Sequence, residues 1–467
     1  MLLPVLIAYA VGLMGLGLWL GRRVRATADF LVAGRALGPG LLFSTMLAAN
    51  IGAGSTVGAT GQGFAVGMSA WWWVGSAAIG SLALAFWAGP AIWRVANANN
   101  LQTVGDYLEF RFDARVRAVI ACLLLIASIL ILAAQLIALG WILNVVAHIP
   151  KWVGCMIGGA VITVYFMAGG LLTSARVNVV QLAVKLAGFS VAVPLAVTAA
   201  GQGWSELATQ LGESYRNPLR ADIAFGYFFA FAPAFVVSPG LLQKVLGARS
   251  ERAVRVGVGL NALGLFCYAP VPVVLGLCAR AIVPALPSND LALPTVLATL
   301  PPWIGALGLA AVFSAEISAA DAVLMILSSS ASQDLYKRFI APAADDATVL
   351  RVARLTTVVS GALGVALAIA AASIADVITI FYTLITVSLF VPMIAGLFVP
   401  PTTARDAMAA IVCGVAGAII MQAATGGRGV SGITPALAGL ALAGAAAAMA
   451  HFTGDSNGNV SHRRARG

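Results

Sequence analysis

Long apolar stretches, separated by short polar connections, recur from one end of this 467-residue chain to the other. They lie near residues 2–20, 39–64, 68–93, 114–147, 152–168, 176–200, 222–242, 255–280, 303–332, 352–373, 375–399, 406–424 and 432–451. Each is long enough, at about 17 to 25 residues, to cross a bilayer as a helix. The pattern therefore predicts an all-α membrane protein with about 13 transmembrane helices.

Two of these stretches carry a break at mid-segment. Ala48-Ala49-Asn50-Ile51-Gly52-Ala53-Gly54-Ser55 puts two glycines and an asparagine in the middle of the second. In the seventh, Pro233 and Ser238-Pro239-Gly240 remove amide donors and end helix continuity. Backbone left unpaired at membrane depth persists only where protein buries it or where it lines a cavity, and in transporters the freed carbonyls coordinate ions. Glycines that only let helices approach closely would explain one such span. Two breaks at the same ordinal place in two sets of five spans, 2 to 6 and 7 to 11, favour an inverted-repeat transporter.

The ninth stretch is apolar yet contains Glu316 and Asp321. An ionisable group at the bilayer centre costs at least roughly 2.5 kcal/mol, so such groups face a cavity, a partner or a transported ion. On a helical wheel Ser314, Ser318, Asp321, Ser328 and Ser332 share one stripe, beside a stripe of small residues, Ala311, Ala315, Ala319 and Ala322. Lys185 is the counterpart in the sixth stretch. It lies about 13 Å along the helix from Arg176 at 1.5 Å per residue, near the membrane midplane, and shares a face with Asn178 and Gln181.

Composition supports the membrane class, with 61% hydrophobic and 9% charged residues against roughly 25% charged in soluble domains. An N-terminus outside places 21 of the 27 Lys and Arg residues on the cytoplasmic side. Lys151, Arg216, Arg220, Arg280 and Arg428 remain outside, and Lys185 lies within a span. The net charge of +10 is thus topology and calls for no nucleic acid. The five cysteines lack metal-ligand spacing and read as free thiols.

Several local sequences, taken together, resemble the sodium:solute symporter family. They are Ala33-Gly34-Arg35, the Ala-Ala-Asn-Ile of the second span, Thr103-Val104-Gly105-Asp106-Tyr107-Leu108, Gly169-Gly170-Leu171 with Asn178-Val179-Val180-Gln181, and Ser318-Ala319-Ala320-Asp321 with Asp334-Leu335-Tyr336. The resemblance implies a LeuT-type 5+5 inverted repeat with discontinuous first and sixth core helices. Its expected division is an N-terminal extra helix and loop (1–38), a first five-helix repeat (39–200), an external loop (201–221), a second repeat (222–399), two C-terminal extra helices (400–451) and a disordered basic tail (452–467).

The resemblance also implies a sodium ion as coupling cation between the second and ninth spans. Its ligands, carried over by motif, are the carbonyls of Ala48, Ile51 and Ala311 and the hydroxyl of Ser314. Two positions depart from the pattern. Ala315 stands where a second hydroxyl is common, and Asn178 stands where several members carry an aspartate.

Those departures raise a second possibility, that the Lys185 ammonium takes the place of the ion and makes transport sodium-independent or coupled to protonation of the amine. A static pair of Lys185 with Glu316 or Asp321 is the plain alternative. Substrate contacts are expected from the two breaks, at Asn50, Gly54, Ser55 and Ser238, where helix ends present free backbone groups. Trp71, Trp72 and Trp73 read first as an interfacial aromatic belt.

The expected function is cation-coupled symport, with sodium as the ion, of a small organic solute across the cytoplasmic membrane by alternating access. The C-terminus is expected in the cytoplasm. A transporter-like membrane sensor is the less favoured class, because the short tail after His451 gives it nothing to signal through. An enzyme is not expected, since no HExxH, GxSxG or paired-histidine motif falls in the spans. A nucleotide-driven pump lacks its phosphate-binding loop.

Overall fold

A computed structural model describes residues 2–21, 33–167, 171–201, 203–399, 401–430 and 432–464. The 22–32 connection and the glycines of Gly169-Gly170-Leu171 lie outside these residues. Among the described residues the secondary structure is helical, and ten helices are long and apolar enough to cross a membrane.

The helices used below are α1 (Leu2–Gly21), α2 (Pro39–Asn50), α3 (54–66), α4 (71–98), α5 (Val104–Arg111), α6 (Ala114–Ala147), α7 (Lys151–Met167) and α8 (Leu171–Gly201). They continue as α9 (Ala221–Val237), α10 (Pro239–Leu246), α11 (Glu251–Ile282), α12 (Pro302–Ile340), α13 (Asp346–Ala370), α14 (Ile374–Phe398), α15 (Ala404–Thr425) and α16 (Pro435–Arg464). The ten membrane-length helices differ from the thirteen expected spans in part because residues 54–98 run together as one helical stretch of 45 residues. At 1.5 Å per residue that is about 68 Å, more than twice a hydrocarbon core of ~30 Å. It turns at Gly67, whose φ of 74° only glycine adopts without strain.

Both expected breaks are present. α2 ends at Asn50, Ile51 departs to φ −89° and ψ 85°, and helix resumes at Gly54. α9 passes through Pro233 and stops at Ser238, where ψ is 120°. One missing amide does not end a helix packed on several sides; the Ser238-Pro239 pair does, because the residue before a proline is pushed out of the α region.

Small residues set how closely the central helices approach. A Cβ added at Gly188 of α8 would overlap Ala311 of α12, and one at Gly52 would overlap Ala319. The alanine stripe of the ninth span is thus the surface against which α8 and the first break pack.

At one end of the bundle Arg117 of α6 bridges three carboxylates. It donates to Glu109 at 2.9 Å and Asp334 at 2.8 Å and pairs with Asp106 at 2.8 Å. Thr103 donates to Asp334 at 2.7 Å and closes a capping box with Asp106 at the start of α5. Hydrogen bonds from Arg338 and Arg117 hold the Glu109 carboxyl below its usual range. The network fixes α5, the expected surface helix, to α6 and the far end of α12. Arg117→Ala leaves Asp334 buried without its cation, which should cost about 3–5 kcal/mol and lower Tm in a thermal melt of the purified protein. An unchanged Tm would show that the network is decorative.

In the connection between α11 and α12, buried Asp290 accepts the amide of Ile374 at 3.0 Å and so caps α14. Burial pushes this carboxyl up to about 6. A carboxyl raised in the folded state helps below its unfolded value and loses that contribution as pH rises through the folded one. Asp290→Asn should therefore stabilise the protein by about 1–3 kcal/mol above pH ~6, with the gain shrinking toward pH ~4. Melts of both proteins across that range decide it.

Candidate cation and solute site

Lys185 of α8 is fully buried. Its ammonium donates to the carbonyl of Ala48 at 2.6 Å, the carbonyl of Ile51 at 3.1 Å and Ser318 Oγ at 2.5 Å. Three N–H groups meet three acceptors, so its donor capacity is used up. Two acceptors are the carbonyls freed where α2 ends; the third comes from α12. Ser318 Oγ in turn lies 2.8 Å from the Ala48 carbonyl and 3.0 Å from that of Ala315.

The four expected cation ligands are therefore split. Ala48 and Ile51 converge on one point, and that point holds Lys185 Nζ. Ser314 lies elsewhere: it donates to the Gln181 carbonyl at 3.2 Å and accepts from Tyr9 of α1 at 2.9 Å. The hydroxyl that reaches the site is Ser318, one turn further along the stripe. Buried Ala311 packs against Gly188, and Ala315, whose carbonyl accepts from Ser318 at 3.0 Å, lies beside the first break.

Neither Glu316 nor Asp321 of α12 forms an ion pair with Lys185 among the described residues. Glu316 faces α3, where Thr56 Oγ1 lies 3.0 Å from Oε1. Asp321 accepts from Ser174 at 3.1 Å. Asn178, one turn from Ser174, donates to Thr45 of α2 at 2.9 Å. It is a strut between α8 and α2 rather than a contact of Lys185.

Side chains satisfy the first break as well. Gln135 of α6 accepts the Ala53 amide at 2.8 Å, and Ser55 Oγ lies 2.6 Å from the Asn50 carbonyl. Asn50 Nδ2 donates to Asn261 of α11 at 3.0 Å. Sequence reasoning missed Gln135, Asn261 and Thr56; a buried polar residue inside an apolar stretch was the available signal.

Both breaks open on a cavity of about 80 Å³ lined by all four expected substrate residues, Asn50, Gly54, Ser55 and Ser238. Water needs roughly 10–15 Å³ by the same measure, so there is room for a small organic solute. Trp73, Phe231 and Tyr382 form part of its aromatic wall, with Trp73 and Phe231 rings 4.7 Å apart and Phe231 and Tyr382 rings 5.0 Å apart. Trp73 is buried and also lines a second cavity. Of the tryptophan triplet it is thus Trp73 that meets this cavity.

The sequence matches the sodium:solute symporter family over residues 30–414. The chain belongs to that family. It is similar to the sodium/pantothenate symporter of Escherichia coli, 27% identical over 88% of each chain. The sodium/glucose cotransporter of Vibrio parahaemolyticus is 22% identical over 89% of this chain and 83% of its own. Among solved structures, that of a Na+-coupled sialic acid symporter in a substrate-bound, outward-open state superimposes with a TM-score of 0.78 over 97% of each chain at 17% identity.

Family and fold together make the protein a multi-pass secondary transporter with a LeuT-type arrangement, whose family couples solute movement to a cation gradient. In this symporter the first break is held by side chains that few sequence motifs announce. Gln135→Leu removes the acceptor of the Ala53 amide without changing bulk greatly, and should cost about 1–3 kcal/mol. A thermal melt checks it; equal stability would mean that water or a backbone shift satisfies the amide.

Proposed function

We propose that the chain carries a small organic solute across the cytoplasmic membrane by alternating access, coupled to a cation, with the Lys185 ammonium standing where the family would place a sodium ion. The observation that carries this reading is the trio of acceptors around Lys185 Nζ, two of them the carbonyls of the broken helix. Hard cations prefer oxygen donors, and an ammonium satisfies the same oxygens by hydrogen bonds. An ion sharing them would sit within about 4 Å of a like charge, a repulsion of ~4 kcal/mol at an effective dielectric of 20. Transport would then be sodium-independent at this site, or driven by protonation and deprotonation of the amine. Support for the solute site comes from Asn50, Gly54, Ser55 and Ser238, which line one cavity.

Sodium-coupled symport is the default expectation, which family membership supports, and the Lys185 mechanism is the alternative to it. The similar proteins are sodium cotransporters by name, and sodium-coupled symport is the activity that membership supports. In that reading sodium displaces Lys185 or binds away from it. The outside N-terminus, the cytoplasmic C-terminus and the division into repeats 39–200 and 222–399 belong to the same proposal, supported by the distribution of Lys and Arg.

Sodium titration of the purified protein separates the two, with choline as control, because a ligand that binds only the native state raises stability with its concentration. Wild type should show no sodium-specific shift. Lys185→Ala vacates the carbonyls and should gain a sodium-dependent Tm rise of about 2–4 °C. A sodium shift in wild type that survives unchanged in Lys185→Ala sinks the lysine reading and leaves sodium symport standing.

A further inference from the structure

A second buried lysine lies at the other break. Lys244 is on α10, six residues after Ser238, and is 3% exposed. Unlike Lys185, its Nζ has no hydrogen-bond partner among the described residues. A buried ammonium without an acceptor is among the costlier arrangements in a protein interior. It lines the solute cavity, and of the residues that do so it alone is charged.

The nearest opposite charge, Asp321, shares a small crevice with Lys244. It accepts from Ser174 and supplies no hydrogen bond to Lys244. The backbone points the same way. Gly240 and Leu241 in the first turn of α10 also line the cavity, so the helix start, with its positive dipole end and the Gly240 amide, faces the same space, while the Leu241 and Leu242 amides are taken by the Ser238 carbonyl. The opposite wall is apolar and aromatic, with the Phe235 and Tyr382 rings 5.2 Å apart.

We propose that the transported solute is a small carboxylate with an apolar or aromatic body, its carboxylate received by Lys244 and the start of α10 and its body lying against Phe231, Phe235 and Tyr382. An anion completes the ammonium with the acceptors it lacks, and charge-assisted bonds of this kind are roughly twice as strong as neutral ones. A cationic solute would meet a like charge in a cavity with no carboxylate on its wall. A neutral solute would leave the ammonium uncompensated.

The inference rests on reading this cavity as the solute site of a transporter, and its test uses solutes, whereas the sodium titration of Lys185 uses none; each can fail alone. Thermal shifts of the purified full-length protein are measured with butyrate and phenylacetate and with their matched amides and amines, at equal concentrations. The acids should stabilise the protein, and the amides and amines should not. Lys244→Gln should weaken acid binding by about tenfold or more, as expected for losing a charged hydrogen bond. Lys244→Arg should keep the preference for acids. With the cavity empty, Lys244→Gln should melt at or above the wild-type temperature, because it removes a buried charge that no hydrogen bond satisfies. Stabilisation by an amine or amide equal to that by its acid overturns the proposal, and so does the lack of any acid response in wild type. A lower Tm for empty Lys244→Gln with acid preference intact would likewise overturn it, by making Lys244 a structural partner of Asp321.

Discussion

Three hydrogen bonds from one ammonium hold the centre of this protein together. Lys185 ties the end of α2 to α8 and, through Ser318, to α12. Without a cation at that point, the Ile51 carbonyl would be a buried acceptor with no donor and the Ala48 carbonyl would keep only the Ser318 hydroxyl, in surroundings that cannot supply water cheaply. Close approach is what makes the arrangement possible. Gly52 and Gly188 leave no room for a Cβ against Ala319 and Ala311, so the broken segment and α8 both lie directly on the alanine face of α12. The small-residue stripe and the lysine are two parts of one device: the first brings the backbones together, the second satisfies what the break exposes.

The two breaks are finished in opposite ways. At the first, Gln135 takes the Ala53 amide, Ser55 reaches the Asn50 carbonyl and Lys185 serves the last carbonyls of α2, so polar groups on its inner side are matched within the protein. At the second, α10 begins facing the cavity and Lys244 ends there without an acceptor. A saturated site and an unsaturated one have different work to do. The first fixes structure or ion response, and the second has capacity left for a ligand.

Much of this was legible in the sequence, for identifiable reasons. The breaks announced themselves because glycine, asparagine and proline are poor helix formers wherever they fall, and Ser238-Pro239 stopped the helix while Pro233 alone did not. Lys185 was legible because a midplane lysine is costly enough to need an explanation. The hydroxyl that meets Lys185 is Ser318, one turn from the Ser314 expected as a cation ligand. Ser314 and Ser318 lie on one stripe, and only the tilt of α12 against α2, which the chain does not spell out locally, decides which of them reaches the site. Lys244 escaped notice for a related reason: near the end of an apolar stretch, next to a basic connection, it reads as one more charge at the membrane surface. Its burial comes from the packing of α10 against the rest of the bundle. Gln135, Asn261 and Tyr9 contribute through partners 82, 211 and 305 residues away in sequence, beyond any periodicity argument.

A cation attached to the chain differs in kind from one that comes and goes. A free ion contributes in proportion to the logarithm of its concentration and can leave on the opposite side, which is how a gradient does work. A tethered ammonium does neither. It holds α2 against α12 at any external salt concentration, and the only thing it can release is its proton. Once neutral, the amine would lose its charge-assisted bonds to two carbonyls and a hydroxyl, and the contact between α2 and α12 would weaken together with them. If the closure of this transporter is gated where α2 meets α12, the state of one nitrogen atom decides how firmly the gate is held. Glu316 stands on the far side of the same break, bonded to Thr56 and not to Lys185, so the ammonium can change state without pulling a salt bridge apart.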